Sequence, residues 1–441
     1  MTIGSAESQS SFSRLLGNTR KPSLSPRNIL FIAHNHPIFA PGGAEILAHS
    51  LFQSCRELPE LRPFFLAASS HLHNSMHTGT AFQSLPGVDD EILFWGDRFD
   101  YFMQSQRMLS LLHTDFTEFL QDFRPDLVHF HHILRLGVEA LKVTRETLPR
   151  SRIILTLHDY IPICHRDGQM VRTQGNTLCE KASPAACHQC FPGIDAPLFK
   201  LREQFIKTHF DLVDQFIAPS RFLAQRYIEW GLPEDRIVVL PNGIQLQARA
   251  PHRTLHPKEK RNRFAFFGQI TPYKGVDVLL EAASELLRSG FDDFSIDIYG
   301  SASQQSETFQ NRIHALADTC SSHVTLHGSY MHSDLPQLIA ECDWVVAPSI
   351  WWENAPLVID EAHYHRRPVI CSGIGGMAEK VEHNKNGLHF KAGNTSALAR
   401  TLKQAANERT LWHQLVKQIT PPVTITDCAA LHRDLYMDLF S

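Results

Sequence analysis

The sequence predicts an α/β protein built from two doubly wound domains in tandem. Apolar runs of four to seven residues alternate with segments of helical pattern, as is typical of parallel strands joined by crossover helices. These runs are apolar throughout, which indicates strands covered on both faces. A polar, basic stretch at residues 245–263 separates two such sets and predicts an interdomain linker.

The two sets give a list of expected elements. The first set predicts strands at residues 28–33, 63–67, 127–130, 153–157, 215–218 and 237–240, and helices at 44–55, 101–123 and 224–230. The second predicts strands at residues 264–267, 295–299, 324–326, 344–347, 368–371 and 387–390, and helices at 275–288, 355–364 and 395–407. Ligands of such folds bind at the carboxyl ends of strands, so we expect a site in the cleft between the domains.

Composition narrows the class of protein. The chain has 441 residues, a formal net charge of -4 and a pI near 6.7, so no basic field favours nucleic acid. The sequence contains no run of about 18 apolar residues, so no membrane span is predicted. The Ser-rich N-terminus lacks an apolar core for secretion, and an odd number of cysteines, nine, favours reduced thiols in the cytoplasm.

One segment, residues 351–362 (WWENAPLVIDEA), follows an apolar strand and opens a helix. Pro356 suits the first turn of that helix. The free N–H groups and the positive end of the helix dipole there favour a diphosphate. Glu353 in the loop and Glu361 in the helix are placed to bind the hydroxyl groups of a polyhydroxylated ligand.

Three further loops carry candidate residues at strand ends. One apolar strand ends at Gly268, and Lys274 follows before the next helix, where a cation can neutralise a departing diphosphate. Gly42 and Gly43 follow the first strand and allow a backbone to approach a ligand closely. His158 ends another strand, at the edge where parallel strands present side chains to a cleft.

Together these segments resemble the family-4 (group 1) retaining glycosyltransferases of the GT-B fold. The resemblance covers residues from about 28 to 417 and is most specific in PSIWWENAPLVIDEA at residues 348–362. It implies two Rossmann-like domains facing each other across a cleft. It also implies transfer of a sugar from a nucleotide-diphosphate sugar, with retention, to a glycan or lipid-linked acceptor in cell-surface polysaccharide synthesis.

The resemblance carries roles to particular residues. The catalytic candidates are His158, Lys274 and Glu353. The donor-binding candidates are Gly42, Gly43, Gly268, Gln269, Lys274, Tyr330, Glu353, Asn354, Ala355, Leu357, Val358 and Glu361. By the resemblance, Glu353 contacts the sugar, Lys274 and the first amides of the following helix contact the diphosphate, and Glu361 holds the ribose. Tyr330 is expected near the nucleobase.

One position departs from the family pattern. The family has Arg where this sequence has Gln269, so one positive charge is missing at the diphosphate. Either Lys274 and helix dipoles suffice, or another cation compensates. The candidates are Arg166, Arg172 and Arg221. The departure also leaves open a non-catalytic sugar-nucleotide-binding protein, beside an epimerase or phosphorylase of the same fold.

The linker and the resemblance set the expected domain bounds. We expect a disordered tail at residues 1–26, an acceptor-side domain at 27–243 and a donor domain at 244–420. A last helix near 429–439, within residues 421–441, is expected to return to the first domain. The first domain contains an insert at residues 160–197. No cofactor is expected for catalysis, because GT-B enzymes generally use cations and helix dipoles instead of a metal.

The insert carries four cysteines, namely Cys164, Cys179, Cys187 and Cys190. Their spacing is compatible with a tetrahedral zinc site, which would hold a long loop together. Unliganded thiols and disulfide or redox chemistry remain alternatives. Close by, residues 199–210 form a basic amphipathic helix, which is either a core helix or a peripheral contact with anionic lipid at the inner face of the membrane.

Overall fold

The computed structural model describes residues 25–69 and 80–441, so the tail expected at residues 1–26 lies almost wholly outside the described part. The fold class predicted from the sequence is confirmed: two doubly wound α/β domains are present. No helix among the described residues is long and apolar enough to cross a membrane.

The first domain is built on an eight-stranded sheet. Its strands are β1 (Arg27–His34), β2 (Leu61–Ser69), β3 (Phe82–Leu85), β4 (Val88–Trp95), β7 (Leu127–Phe130), β8 (Arg152–Thr156), β9 (Gln215–Ala218) and β10 (Ile237–Val239). A separate two-stranded sheet contains β5 (Phe99–Asp100) and β6 (Ser105–Gln106). The order in the large sheet is β10-β9-β8-β7-β1-β2-β4-β3, and among the described strands only β3 runs antiparallel to its neighbour.

Helices cover both faces of this sheet. They are α1 (Gly43–Cys55), α2 (Leu109–Leu111), a π-helical turn (Leu112–Phe116), α3 (Thr117–Phe123), α4 (Glu139–Thr147), α5 (Pro184–Cys190), α6 (Ala196–Phe210), α7 (Arg221–Trp230) and a 3₁₀ turn (Glu234–Arg236). On α6 the side chains of Phe199, Ile206 and Phe210 are buried. The apolar face of this helix therefore packs in the core, which was the first of its two expected roles.

The second domain has a six-stranded, wholly parallel sheet. Its strands are β11 (Arg263–Phe267), β12 (Ser295–Tyr299), β13 (Val324–Gly328), β14 (Trp344–Ala347), β15 (Val369–Ser372) and β16 (Gly387–Phe390), in the order β13-β12-β11-β14-β15-β16. Its helices are α8 (Val276–Arg288), α9 (Glu307–Asp318), a 3₁₀ turn (His332–Asp334), α10 (Leu335–Ala340), α11 (Leu357–Tyr364), α12 (Gly375–Lys380), α13 (Thr395–Asn407) and α14 (Leu411–Gln418). This is the strand order of a dinucleotide-binding α/β domain.

The chain crosses between the domains twice. The two crossings lie side by side, because Ile244 and Thr424 form a parallel bridge. After the second crossing, α15 (Ile425–Phe440) packs on the first domain. Its Tyr436 is fully buried, and the hydroxyl lies 2.7 Å from His129 Nδ1 on β7.

The helix predicted at residues 101–123 is wrong over its first part. Residues 99–106 instead form the short hairpin of β5 and β6. The Asp100 side chain accepts hydrogen bonds from the backbone N–H groups of Phe102 and Met103, both at 3.0 Å, and Gln104 has a left-handed φ of +56°. An Asp that bonds to the backbone two residues on favours a turn over a helix.

Candidate active site

The carboxyl ends of β11 and β14 meet where the strand order of the second sheet reverses, which is where ligands bind in doubly wound sheets. The loop after β11 begins at Gly268 and carries Lys274, and the loop after β14 carries Glu353. The two loops touch at Gly275, where φ is +70° and a β-carbon would lie 2.0 Å from the carbonyl oxygen of Pro348. Backbone conformation and space therefore both require glycine there.

Lys274 and Glu353 form an ion pair in this crevice. Lys274 Nζ lies 2.7 Å from Glu353 Oε1, which also accepts hydrogen bonds from Ser349 Oγ at 2.7 Å and Trp351 Nε1 at 2.9 Å. Burial raises the pKa of Glu353, but Lys274 and these hydrogen bonds outweigh burial and leave the pKa below its usual value. The carboxylate is thus ionised and fixed in orientation.

Asn354 joins the same loop to the first domain. Its Nδ2 donates to the backbone carbonyl of His158, whereas its Oδ1 is buried and has no hydrogen-bond partner among the described residues. The backbone behind it is tightly packed, since a β-carbon at Gly376 would lie 1.7 Å from the carbonyl oxygen of Asn354. An unpaired buried acceptor beside His158 is a place where a ligand hydroxyl can donate.

The helix α11 supplies the next part of the crevice. It begins at Leu357 after Pro356, and no side chain caps it. The first N–H groups of a helix, here those of Leu357 and Val358, have no acceptor inside the helix, and the dipole adds positive potential at that end. Ala355, which precedes Pro356, is buried. This terminus and Lys274 are the positively polarised groups of the crevice.

Glu361 on α11 is paired with His332, a residue that the sequence did not predict to be part of the site. Its Oε1 lies 2.8 Å from His332 Nε2, and this hydrogen bond raises the pKa of His332 against the effect of burial. Tyr330 lies two residues earlier, with its ring 5.8 Å from that of Phe267. A lone histidine in a polar loop is ordinarily a surface residue, so no pattern in the sequence marks His332.

His158 follows β8 at the edge of the first sheet that faces the crevice. Burial, together with the charge of His132, lowers the pKa of His158 to about 3. Its Nε2 lies 3.1 Å from His131 Nδ1, and His132 Nε2 lies 2.8 Å from the carboxylate of Asp159. A neutral imidazole at this position can donate or accept a hydrogen bond near neutral pH but carries no charge.

Gly42 and Gly43 lie at the N-terminus of α1, close to an acidic residue. Glu45, in the first turn of α1, has its Oε1 3.0 Å from His34 Nε2. Burial raises the pKa of Glu45, but hydrogen bonds from His34 and Asn35 prevail and lower the pKa below its usual value. Because this carboxylate is charged at the helix N-terminus, it opposes a phosphate there.

Gln269 is exposed, and one of the three candidate arginines reaches the loop that carries it. Arg166 places its guanidinium 5.4 Å from the ring centroid of Tyr273, the residue before Lys274. Its Nη1 donates to the backbone carbonyl of Arg172 at 2.6 Å. Arg172 and Arg221 are both exposed.

The four cysteines of the insert line one cavity. All nine cysteines of the chain are free thiols in the structure. Burial raises the pKa of Cys164 and Cys179, and raises that of Cys187 to about 11. Readily oxidised cysteines have lowered pKa values, and the pKa values of these three thiols are shifted in the opposite direction.

A second group of candidate metal ligands lies on the first domain. Among the described residues, only His36, His49 and Glu91 bring three ligand atoms within 4.8 Å of one another. Both His Nε2 atoms lie at hydrogen-bond distance from Glu91 Oε2, 2.7 and 2.9 Å. Because His36 Nδ1 accepts from the N–H of Ile38, its Nε2 carries the proton and donates to Glu91. The group is therefore a hydrogen-bonded cluster.

Family comparisons agree with this architecture. Residues 249–420 match the description "Glycosyl transferases group 1", and residues 86–248 match "Glycosyltransferase Family 4". The two matches adjoin and together cover residues 86–420, which include the second domain and most of the first. The chain therefore belongs to the family-4, group 1 glycosyltransferases, and its fold is the GT-B fold.

Individual relatives are distant. A D-inositol 3-phosphate glycosyltransferase of Nocardia farcinica is 30% identical over 296 residues, covering 64% of this chain and 59% of the relative. An uncharacterized glycosyltransferase of Methanocaldococcus jannaschii is 24% identical over 198 residues, covering 45% and 51%. The chain spans about half the length of the curated relatives it matches.

Solved structures share the fold over nearly the whole chain. Sucrose-phosphate synthase of Thermosynechococcus elongatus superposes with a TM-score of 0.69 at 17% identity, covering 94% of this chain and 99% of the other. HepE of Anabaena, in complex with UDP and glucose, superposes with a TM-score of 0.63 at 16% identity, covering 93% and 100%. At such identities the likeness concerns the fold.

Proposed function

We propose that this glycosyltransferase moves a sugar from a nucleotide-diphosphate sugar to a hydroxyl of an acceptor, with retention of the anomeric configuration. One observation carries the proposal: the crevice of the second sheet brings Lys274, Glu353 and the uncapped start of α11 to His158 of the first domain. A cation and free amides suit a diphosphate, and fixed carboxylate and amide oxygens suit a sugar.

Each group takes a stated part in binding the donor. The diphosphate lies on Lys274 and the first amides of α11, and the sugar hydroxyls donate to Glu353 and to the unpaired Oδ1 of Asn354. Glu361 accepts from the ribose hydroxyls. His158 is neutral and hydrogen-bonds the sugar or the reacting hydroxyl. HepE, which shares the fold, has been crystallised with UDP and glucose, and this supports a uridine nucleotide as the first donor to test.

The proposed reaction uses the same groups. The acceptor oxygen bonds to the anomeric carbon on the face from which the diphosphate leaves. The bond between that carbon and the diphosphate oxygen breaks, and the acceptor proton passes to the departing diphosphate. Lys274 and the helix amides stabilise the charge that develops on the leaving group. The family resemblance is the reason for preferring this same-face course without a catalytic metal.

The acceptor is expected to be a glycan or a lipid-linked saccharide of cell-surface polysaccharide synthesis, and the compartment the cytoplasm. The odd number of cysteines, nine, supports a reducing compartment. Contact with the membrane surface, if the acceptor is lipid-linked, has to come from residues other than the buried face of α6.

The first experiment is a thermal-shift panel of nucleoside diphosphates and nucleotide sugars. A ligand at 100 times its dissociation constant stabilises by about 2.7 kcal/mol, so the true donor is expected to stand out from the panel. Glu361→Gln is expected to lose most of this shift for the matching nucleoside diphosphate, with exposed Glu408→Gln as the control. An unchanged shift in Glu361→Gln would remove the ribose role.

Transfer itself is tested with the donor so identified. Release of the nucleoside diphosphate is expected to depend on an added acceptor, and the product is expected to keep the anomeric configuration of the donor by NMR. Conversion of the donor without an acceptor would favour an epimerase, and inversion would exclude the same-face course.

A second candidate, a non-catalytic sugar-nucleotide-binding protein, rests on the missing cation at Gln269. Gln269→Arg is expected to tighten binding of the nucleoside diphosphate by about 1–2 kcal/mol, because Arg adds a charged hydrogen bond at an exposed position. Calorimetry at two salt concentrations measures the gain, which should shrink as salt rises. Tighter binding with still no transfer in either protein would favour the non-catalytic candidate.

A further inference from the structure

The insert at residues 160–197 has little regular structure to hold it in place. It contains the seven-residue helix α5 and a single bridge between Val171 and Leu178. Its buried hydrophobic side chains are few: Tyr160, Ile163, Met170 and Val171. Ordering the backbone costs about 1–2 kcal/mol per residue, so an ordered segment with so small a core needs another source of stability.

Four cysteines come together in this insert, although three separate segments supply them. Cys164 lies in the turns after β8, Cys179 follows the bridge at Leu178, and Cys187 and Cys190 lie on α5. Residues three apart on a helix share a face, and all four cysteines line the same cavity. The other five cysteines of the chain are instead buried in the domain cores.

We propose that Cys164, Cys179, Cys187 and Cys190 bind one structural zinc ion as four thiolate ligands. Thiolates are the donors that zinc prefers in closed structural sites, and such sites stabilise small segments that lack a core. The alternative of two disulfides would tie the same cysteines only in pairs, and disulfides do not persist in the reducing compartment expected for this enzyme.

The site is assembled but not closed in the structure. Tetrahedral zinc with bonds of about 2.3 Å requires sulfurs about 3.8 Å apart, whereas no three of these sulfurs, all in the described part of the chain, lie within 4.8 Å of one another. A change of cysteine rotamer moves a sulfur by roughly 3 Å. Metal binding therefore requires the sulfurs to move closer together, and side-chain rotation supplies movement of that size.

The insert also contacts the loops of the proposed donor site. The carbonyl oxygen of Cys179 accepts a hydrogen bond from Trp352 Nε1 at 3.1 Å, and Trp352 immediately precedes Glu353. Arg166, two residues after Cys164, lies over the ring of Tyr273. The zinc ion thus fixes the segments against which both donor loops pack, and this consequence rests on the function proposed above.

The test begins with the full chain, purified under reducing conditions without chelator. Elemental analysis is expected to find about one zinc per chain, and a thiol reagent is expected to count four additional reactive thiols after a strong chelator removes the metal. The double variant Cys187→Ser/Cys190→Ser is expected to contain less than about a tenth of that zinc. The control Cys320→Ser, outside the insert, is expected to keep it.

Cobalt substitution of the wild-type chain covers the case in which the double variant does not fold. Bound Co²⁺ is expected to show thiolate-to-metal charge transfer and the strong visible bands of tetrahedral cobalt. The proposal would be overturned if the wild-type protein, expressed with added zinc, contained no zinc and its four thiols reacted freely. A mass showing two disulfides would also overturn it. Normal donor binding after zinc removal would overturn the link to the donor loops, whereas zinc without any donor binding would count against the proposed function alone.

Discussion

At the scale of single residues, Lys274 and Glu353 are each other's partners until a ligand replaces the ion pair. Without donor, the Lys274 ammonium neutralises a buried carboxylate. In the proposed function, a diphosphate at the start of α11 competes for the same ammonium, and Glu353 becomes available to the sugar hydroxyls. The pair therefore keeps both side chains in their binding orientation before the substrate arrives, which lowers the cost of ordering them on binding.

Removing one member of this pair should destabilise the protein more than removing both. Lys274→Met leaves Glu353 buried without its cation, and we expect a loss of about 1–3 kcal/mol, below the cost of a fully buried pair because Lys274 is partly exposed. Lys274→Met/Glu353→Gln should regain part of that loss. Urea unfolding measures all three proteins, and Lys385→Met, from the exposed pair with Glu382, is the control. Equal losses in the single and double variants would show that the pair is not coupled.

The pair of His332 and Glu361 predicts a pH-dependent contribution to stability. The pKa of His332 is raised in the folded protein, so the contribution is fully present below the unfolded pKa of about 6.5 and is lost as pH rises through the folded pKa. His332→Gln should therefore be less stable than wild type at pH 6 and equal to it at pH 9. We expect about 0.2–1 kcal/mol at most, because the His332 side chain is half exposed.

Denaturant unfolding at the two pH values gives this difference directly. His314→Gln, at an exposed position on α9, is the matched control and should show no such pH-dependent difference. A difference of the same size at pH 9 would mean that the ring of His332 acts by packing and not by charge.

At the scale of elements, the first turn of α12 sets the position of the loop that carries Glu353 and Asn354. The Gly376 N–H donates to the carbonyl oxygen of Glu353 at 2.7 Å, and no side chain fits between Gly376 and Asn354. The helix thus supports the loop from behind by backbone contact alone. Its two glycines matter because they allow that approach.

Gly376→Ala should move the donor loop. The added β-carbon would lie 1.7 Å from the carbonyl oxygen of Asn354, so the backbone has to shift. We expect a loss of about 1–3 kcal/mol from overpacking and a fall in transfer rate of about 100-fold, the effect of a displacement near 1 Å. Thermal unfolding and single-turnover transfer measure the two effects. Gly193→Ala, with open space around the new β-carbon, should change neither.

The elements that the sequence predicted well are those whose burial decides their conformation. The strands of the second sheet are apolar and end at turn residues, so their bounds agree with the structure to within one or two residues. The hairpin of β3 and β4 was not predicted, and at residues 99–106 one Asp side chain overrode the helical pattern.

The candidate site was likewise predicted in part. The motif residues around Lys274, Glu353 and Glu361 come together as separate loops of one crevice. Their partners could not be read from the sequence, because Lys274 and Glu353 are 79 residues apart and His332 carries no motif. Pairing across such distances is fixed by sheet order and loop packing, which local patterns do not encode.

At the scale of the whole molecule, the two domains are joined by specific contacts across the cleft in addition to the covalent crossings. The carboxylate of Glu379 on α12 accepts hydrogen bonds from the backbone N–H groups of Arg221 and Phe222 at the start of α7, at 3.0 and 2.9 Å. An acidic residue of the second domain thereby caps a helix of the first domain. Trp352 packs on Phe222 beside it, with ring centroids 5.2 Å apart.

Glu379→Gln should therefore loosen the closed arrangement. It keeps the side-chain size but removes the charge from the N-terminus of α7, and caps of this kind contribute about 0.5–2 kcal/mol. We expect a larger radius of gyration in small-angle scattering without donor, and a higher KM for the donor with nearly unchanged kcat. Exposed Glu408→Gln is the control. An unchanged radius of gyration would mean that the other contacts between the domains, such as those of Asn354 and Trp352, hold them together without Glu379.

The return of α15 has a consequence for how the protein is made. Its Cys428, Ala429 and Tyr436 complete a core that begins with Phe31 and Phe52. On the ribosome, that core stays open until the entire second domain and residues 425–440 have been synthesised, whereas the second domain has all of its own strands by residue 390. The domain whose synthesis starts first is therefore the one whose folding finishes last. Nascent chains that stop short of α15 expose an apolar surface, and these are the chains that chaperones have to hold.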